Sequence, residues 1–205
     1  MAKKRLYVAY GSNLNIQQMR LRCPTAKLVG TGVVEDYELQ FKGAANHSYA
    51  TITESEGETA PVAVWELQPR DEKFLDRYEG YPSHYFKQDI PVKMDNGEEV
   101  TGMVYIMDLK QKFGMPSAGY LTTVYDGYND CKLDVESLKN AVRNSAVKFA
   151  AELSEELISA IKPKKRMSLF DFDDDGEDDS EDNDENNGEE LDEEESDDRR
   201  YFFSQ

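Results

Sequence analysis

The residues able to do chemistry fall in two places. Tyr10-Gly11-Ser12-Asn13 follows an apolar run that begins at Leu6, and it lies just before a helix-like segment. Glycine lets the backbone adopt unusual φ or approach a ligand closely, and successive N–H groups at a helix start form a concavity that suits an anion. Ser12 and Asn13 can hydrogen-bond such a group, and either can equally cap the helix. On these residues alone both readings of the turn stand. The second place is Glu79, a carboxylate beside Gly80 with Tyr78, Tyr81 and Tyr85 close in sequence. An aromatic setting strips water from a carboxyl and raises its pKa above the usual ~4.3, toward the range where one group can both take and give a proton. The plain alternative is a polar residue decorating a helix end.

The elements around these residues follow from periodicity. Leu6 to Tyr10 predicts a first strand and Asn15 to Arg22 a short helix, with Pro24 just beyond. Lys27–Val34, Tyr37–Phe41, Tyr49–Thr53 and Pro61–Leu67 are β-branched and aromatic runs separated by polar or Gly-containing turns, hence four strands. From Pro69 to Pro82 the period becomes helical, with Pro69 at the start, Phe74, Leu75 and Tyr78 on one face, and Gly80 as the stop. Glu79 then sits on the last turn. Tyr85–Met94 and Glu98–Met107 flank Asp95-Asn96-Gly97, a hairpin signal. Helical patterns occupy Ser117–Tyr128 and Asp134–Ala151, and Glu155–Ile161 reads as a short continuation. Strands first and helices last imply an α+β domain with a largely antiparallel sheet.

Charge separates the chain into two parts. The run from Asp171 to Asp198 holds 19 of the 42 acidic residues and no Lys or Arg, whereas residues 1–170 carry 23 acidic against 22 basic residues. The globular part is thus nearly neutral, and the acidity belongs to an appendage. Residues 1–161 are read as the domain and 162–205 as a basic hinge, Lys162 to Arg166, followed by a tail too poor in apolar residues to fold. Two apolar islands flank the acidic run, Met167 to Phe172 and Tyr201 to Phe203. A tail of this charge suits a basic protein partner, and direct nucleic-acid binding is not expected. Cys23 and Cys131 make no CxxC spacing and no disulfide framework, His47 and His84 lack ligand partners at a recognisable spacing, and no apolar run reaches bilayer length. The expectation is a cytoplasmic protein without a metal site and without membrane insertion.

Tyr7-Val8-Ala9-Tyr10-Gly11-Ser12-Asn13-Leu14, then Leu75-Asp76-Arg77-Tyr78-Glu79-Gly80, then Pro116-Ser117 with Tyr120, taken in this order, resemble the γ-glutamylcyclotransferase superfamily. The likeness is especially to the small bacterial members of the group that includes γ-glutamylamine cyclotransferases and AIG2-like proteins, and it runs over roughly residues 4–145. It implies a compact, mixed, largely antiparallel β-barrel with flanking helices and a cavity at the YGSN-type turn. It further implies that Tyr10, Gly11, Ser12 and Asn13 hold the amino-acid end of a γ-glutamyl group and that Glu79 is the acid/base. Tyr85 and Tyr120 are read as cavity walls whose hydroxyls can orient a carbonyl or carboxylate, with core packing the plain alternative for each, and only Tyr120 lies in a segment that resembles the family. Tyr7 enters as part of the strand leading to the turn. The reaction implied is closure of the γ-glutamyl group to 5-oxoproline with release of an amine, which needs no cofactor. The alternative is the same pocket binding a small ligand without turnover, with the acidic tail recruiting a basic partner. The chain departs from the family at Asn46 to Ile52, where relatives are richer in Gly.

Overall fold

The computed structural model describes residues 5–108 and 110–161. The chain divides into two units, Met1–Ala160 and Ile161–Gln205, and all described residues but Ile161 belong to the first. The basic hinge, acidic run and apolar islands lie outside the described residues.

Five strands close a barrel in the order β1-β3-β2-β4-β5. They are β1 (Arg5–Ala9), β2 (Lys27–Ala44), β3 (His47–Leu67), β4 (Tyr85–Met94) and β5 (Glu99–Met107). Every pairing is antiparallel except the closing one, where β1 runs parallel to β5 with Tyr7 opposite Met103 and Val8 opposite Val104. Four helices flank the barrel: α1 (Ile16–Arg22), α2 (Pro69–Tyr78), α3 (Ala118–Asp130) and α4 (Val135–Ala160). The architecture is the expected α+β barrel. Val8, Val62, Val64, Ile90, Val92, Met103 and Val104 are fully or almost fully buried in its core. Among the described residues no helix is long and apolar enough to cross a membrane.

Three element boundaries differ from the sequence reading. The four runs between Lys27 and Leu67 are two long strands, β2 and β3, rather than four. The polar stretch that suggests a turn is a bulge: the pairing passes from Glu35 opposite Thr59 to Tyr37 opposite Glu54. Asp36 takes φ +59° and Gly57 φ +80°, and Gly57 N–H donates to Asp36 Oδ1 at 2.8 Å. A solvent-facing bulge needs the same polar, turn-prone residues as a loop does. Likewise α4 runs unbroken through Glu152-Leu153-Ser154, because nothing there stops a helix. In the β4–β5 hairpin only Gly97 takes positive φ, +86°, with its N–H on Met94 O at 2.9 Å. This is a turn followed by one left-handed residue.

Candidate active site

Strand β1 ends at Ala9 and hands the chain to the polar turn. Ser12–Leu14 forms one 3-10 turn, and the cap of α1 is Asn15, whose Oδ1 accepts from Gln18 N–H at 3.0 Å. Neither Ser12 nor Asn13 caps, so both side chains are free for other work. The turn uses the N–H groups of Leu14 and Asn15, on Gly11 O and Ser12 O. Gly11 has φ −117°, outside the left-handed region, so the glycine is not there for unusual φ. It is there for space: a Cβ would lie 3.2 Å from both Ala50 Cβ and Tyr120 Oη. Behind the turn stands α3, where a Cβ on Gly127 would lie 2.6 Å from Asn15 N and 2.7 Å from the Leu14 carbonyl carbon. Asp130 Oδ2 accepts from Ile16 N–H at 3.0 Å and Cys131 Sγ donates to Leu14 O at 3.3 Å. One helix therefore fixes both the turn and the start of α1.

Glu79 arrives from α2. Pro69 takes the first helical position, and Asp71, buried at the other end, accepts from Gln68 N–H at 2.9 Å and Thr25 Oγ1 at 2.7 Å. Leu75 packs fully inside. At the C-terminus Glu79 is the cap residue, its N–H on Leu75 O at 2.8 Å, and Gly80 turns the chain away with φ +65°.

These elements bring Glu79 against the turn. Asn13 Nδ2 donates to Glu79 Oε1 at 2.8 Å and to Tyr7 Oη at 2.8 Å, while Asn13 Oδ1 accepts from Arg22 Nη1 at 2.6 Å. The pocket between them is lined by the turn and Glu79 together with Tyr7, Ala50, Tyr85, Tyr105 and Tyr120. Three of the phenols are tied to backbone. Tyr85 Oη donates to Ala50 O at 3.2 Å, Tyr120 Oη accepts from Ala50 N–H at 3.1 Å, and Tyr10 Oη donates to Tyr105 O.

Burial pushes the Glu79 carboxyl from 4.5 up to about 7, against the opposing pull of the Arg22 charge and the Asn13 hydrogen bond. The negative end of the α2 dipole also disfavours an anion at this position. A carboxyl at this pKa is half ionised near neutrality, so it can accept a proton and return it. Burial likewise pushes the hydroxyls of Tyr7, Tyr10, Tyr85 and Tyr120 up, which keeps them protonated as donors.

All eight residues singled out in sequence line this one pocket: Tyr7, Tyr10, Gly11, Ser12, Asn13, Glu79, Tyr85 and Tyr120. Of the aromatic neighbours expected around Glu79, Tyr81 is elsewhere, 42 % exposed with Lys87 Nζ 4.7 Å from its ring centroid. Sequence reasoning missed Tyr105, Ala50 and Arg22. Among the described residues no group of three or more His, Cys, Asp or Glu is placed to hold a metal ion.

Known proteins resemble this chain over most of its length. The family model described as gamma-glutamyl cyclotransferase, AIG2-like matches residues 7–122, a span that contains the turn, Glu79 and Tyr120. The chain is 29 % identical over 165 residues to the gamma-glutamylcyclotransferase of Bos taurus, covering 77 % of this chain and 87 % of that protein. It is 27 % identical over 172 residues to that of Homo sapiens, covering 80 % and 91 %. A solved gamma-glutamyl cyclotransferase superposes with a TM-score of 0.61 at 25 % identity over 80 % of this chain and 92 % of the other. A human protein titled as uncharacterized superposes at 0.59 with 26 % identity, over 79 % and 90 %. The chain belongs to the gamma-glutamyl cyclotransferase, AIG2-like family.

Proposed function

We propose that the protein is a γ-glutamylcyclotransferase that converts a γ-glutamyl amine or peptide to 5-oxoproline and the free amine. The observation that carries this reading is the Glu79 carboxyl, with a pKa of about 7, held 2.8 Å from the Asn13 amide beside the polar turn. Family membership and relatives named gamma-glutamylcyclotransferase support it.

In a γ-glutamyl compound the α-amine and the γ-carbonyl carbon belong to one residue. The amine attacks that carbon, a C–N bond closes the five-membered ring, and the carbonyl π electrons move onto oxygen. Glu79 takes the proton from the attacking nitrogen and delivers it to the leaving nitrogen as the old amide C–N bond breaks and the carbonyl re-forms. Proton, ring and amine balance with no further reactant. Holding the chain bent is most of the task, since effective molarities for well-aligned internal nucleophiles reach ~10⁵–10⁸ M. The N–H groups of Ser12 and Asn13, which have no acceptor among the described residues, suit the α-carboxylate. Tyr120 Oη accepts from Ala50 N–H, so its own hydrogen is available to the oxygen that becomes negative.

Purified protein offered a panel of γ-glutamyl amines and peptides, read by mass detection of 5-oxoproline, tests the proposal. Wild type is expected to release the lactam. Glu79→Gln, folded by circular dichroism, is expected to lose about 10²–10⁴-fold in rate. No lactam from any member of the panel, or full turnover by Glu79→Gln, overturns the reading.

A further inference from the structure

Arg22 is not among the pocket-lining residues, yet it has three hydrogen bonds directed at the site's supports. Nη1 donates to Asn13 Oδ1 at 2.6 Å and to Ser12 Oγ at 3.1 Å, and Nη2 donates to Gln18 Oε1 at 2.8 Å. The guanidinium lies over the Tyr78 ring, 3.8 Å from its centroid, one residue before Glu79. A guanidinium can only donate, so it takes the oxygen of the Asn13 amide and leaves the nitrogen for Glu79. An ionised carboxylate can only accept, and this is the face it needs. Were the amide free to turn over, a protonated Glu79 could donate to Oδ1, and the neutral acid would gain instead.

Charge points the same way. Phenols and one thiol also surround Glu79. Tyr7 and Tyr10 come from β1 and its end, Cys23 from the end of α1, and Tyr78 from α2. Tyr85, Tyr105 and Tyr120 come from β4, β5 and α3. Burial pushes every one of them up, so near neutrality they carry no charge. The positive charge of Arg22, by contrast, pulls the carboxyl toward its ionised form.

We infer that Arg22 is a positioning residue for this site, fixing the Asn13 amide with its nitrogen toward Glu79 and supplying the positive charge that favours the carboxylate over the acid. The inference rests on reading Glu79 as the proton carrier, but its test does not require turnover. The Glu79 side-chain carboxyl is followed by ¹³C NMR in labelled protein across pH 4–9, with Glu79→Gln assigning the resonance. Arg22→Met is expected to raise the midpoint by about one pH unit, and Arg22→Lys, which keeps charge and a donor, to return most of that shift. If Arg22→Met does not fold, Arg22→Gln is read instead and the midpoint must again rise. A midpoint that stays or falls without the charge, or an Arg22→Lys variant that behaves like Arg22→Met, overturns the inference. In turnover assays the ascending limb of the kcat profile should shift with the NMR midpoint. If wild type makes no lactam, the proposed function fails while the titration still decides the role of Arg22.

Discussion

Holding a carboxyl at the pKa its proposed chemistry requires costs stability, and the cost has a sign and a pH window. Glu79 titrates near 4.5 when exposed in the unfolded chain and at about 7 in the folded one. Between these values the folded state holds a proton that the unfolded state has released, so stability falls as pH rises through the interval. The contribution is fully present below about pH 4.5 and fully lost above about pH 7. At about 1.4 kcal/mol per unit, the rise amounts to about 3 kcal/mol. Glu79→Gln removes the titration while keeping an acceptor for Asn13. Relative to wild type it should therefore gain up to about 3 kcal/mol between pH 4.5 and pH 8, or roughly 6–12 °C in Tm for a domain of this size. Urea unfolding of both proteins at half-unit pH steps measures the difference directly. A difference flat across pH 5–8 would refute a raised Glu79 pKa. One that moves against the variant as pH rises would mean the folded protein favours the ionised carboxylate.

The remaining expectations concern the groups that shape the pocket. Tyr120→Phe keeps the ring and removes the hydroxyl on Ala50 N–H; kcat should fall about 10²–10³-fold while the chemical-denaturation midpoint moves little. Gly127→Ala places a methyl 2.6 Å from Asn15 N and Leu14 Cβ, and urea unfolding should show a loss of about 1–3 kcal/mol with turnover falling as the turn is displaced. Gly11→Ala meets softer neighbours, at 3.2 Å, and should raise KM for the γ-glutamyl compound more than it lowers Tm.

How far the site could be read from sequence depended on how local each signal was. The turn, the Gly80 stop and the hairpin at Asp95 to Gly97 are short stretches in which one or two residues dictate backbone geometry, and each appears where its sequence predicts. Tyr105 was hidden because Met103 to Met107 are buried on both faces, so no alternation marks which side chains face the pocket. Arg22 was hidden for a different reason. Arg20 and Arg22 both look like solvated charges near the end of a short helix, and Arg20 is one. Only the return of α2 more than fifty residues later, bringing Tyr78 and Glu79 alongside, distinguishes the second arginine from the first. The reading of β2 and β3 as four separate strands failed on composition, since a bulge facing water needs the residues of a turn.

A buried carboxyl, an amide and several phenols at one end of a barrel make a weak core, so the precision of the site has to come from anchors outside it. The polar turn and α2 are each anchored by residues that do not line the pocket. Strand β3 leads through Gln68 into the start of helix α2, which Asp71 and Thr25 lock, so the Glu79 end inherits its position from the opposite terminus. The polar turn is backed by Gly127 and Asp130 of α3 and by Cys131 just past its end, and the same helix carries Tyr120 on its first turn, with Tyr120 N–H on Ser117 Oγ. Ala50 then joins the two walls through its own peptide groups, binding Tyr120 with its N–H and Tyr85 with its carbonyl. A functional residue gains accuracy from the rigidity of what stands behind it. In this barrel α3 orients both the turn and the Tyr120 hydroxyl, so a displacement of that helix would move the proposed anion seat and the proposed carbonyl donor together and preserve the distance between them.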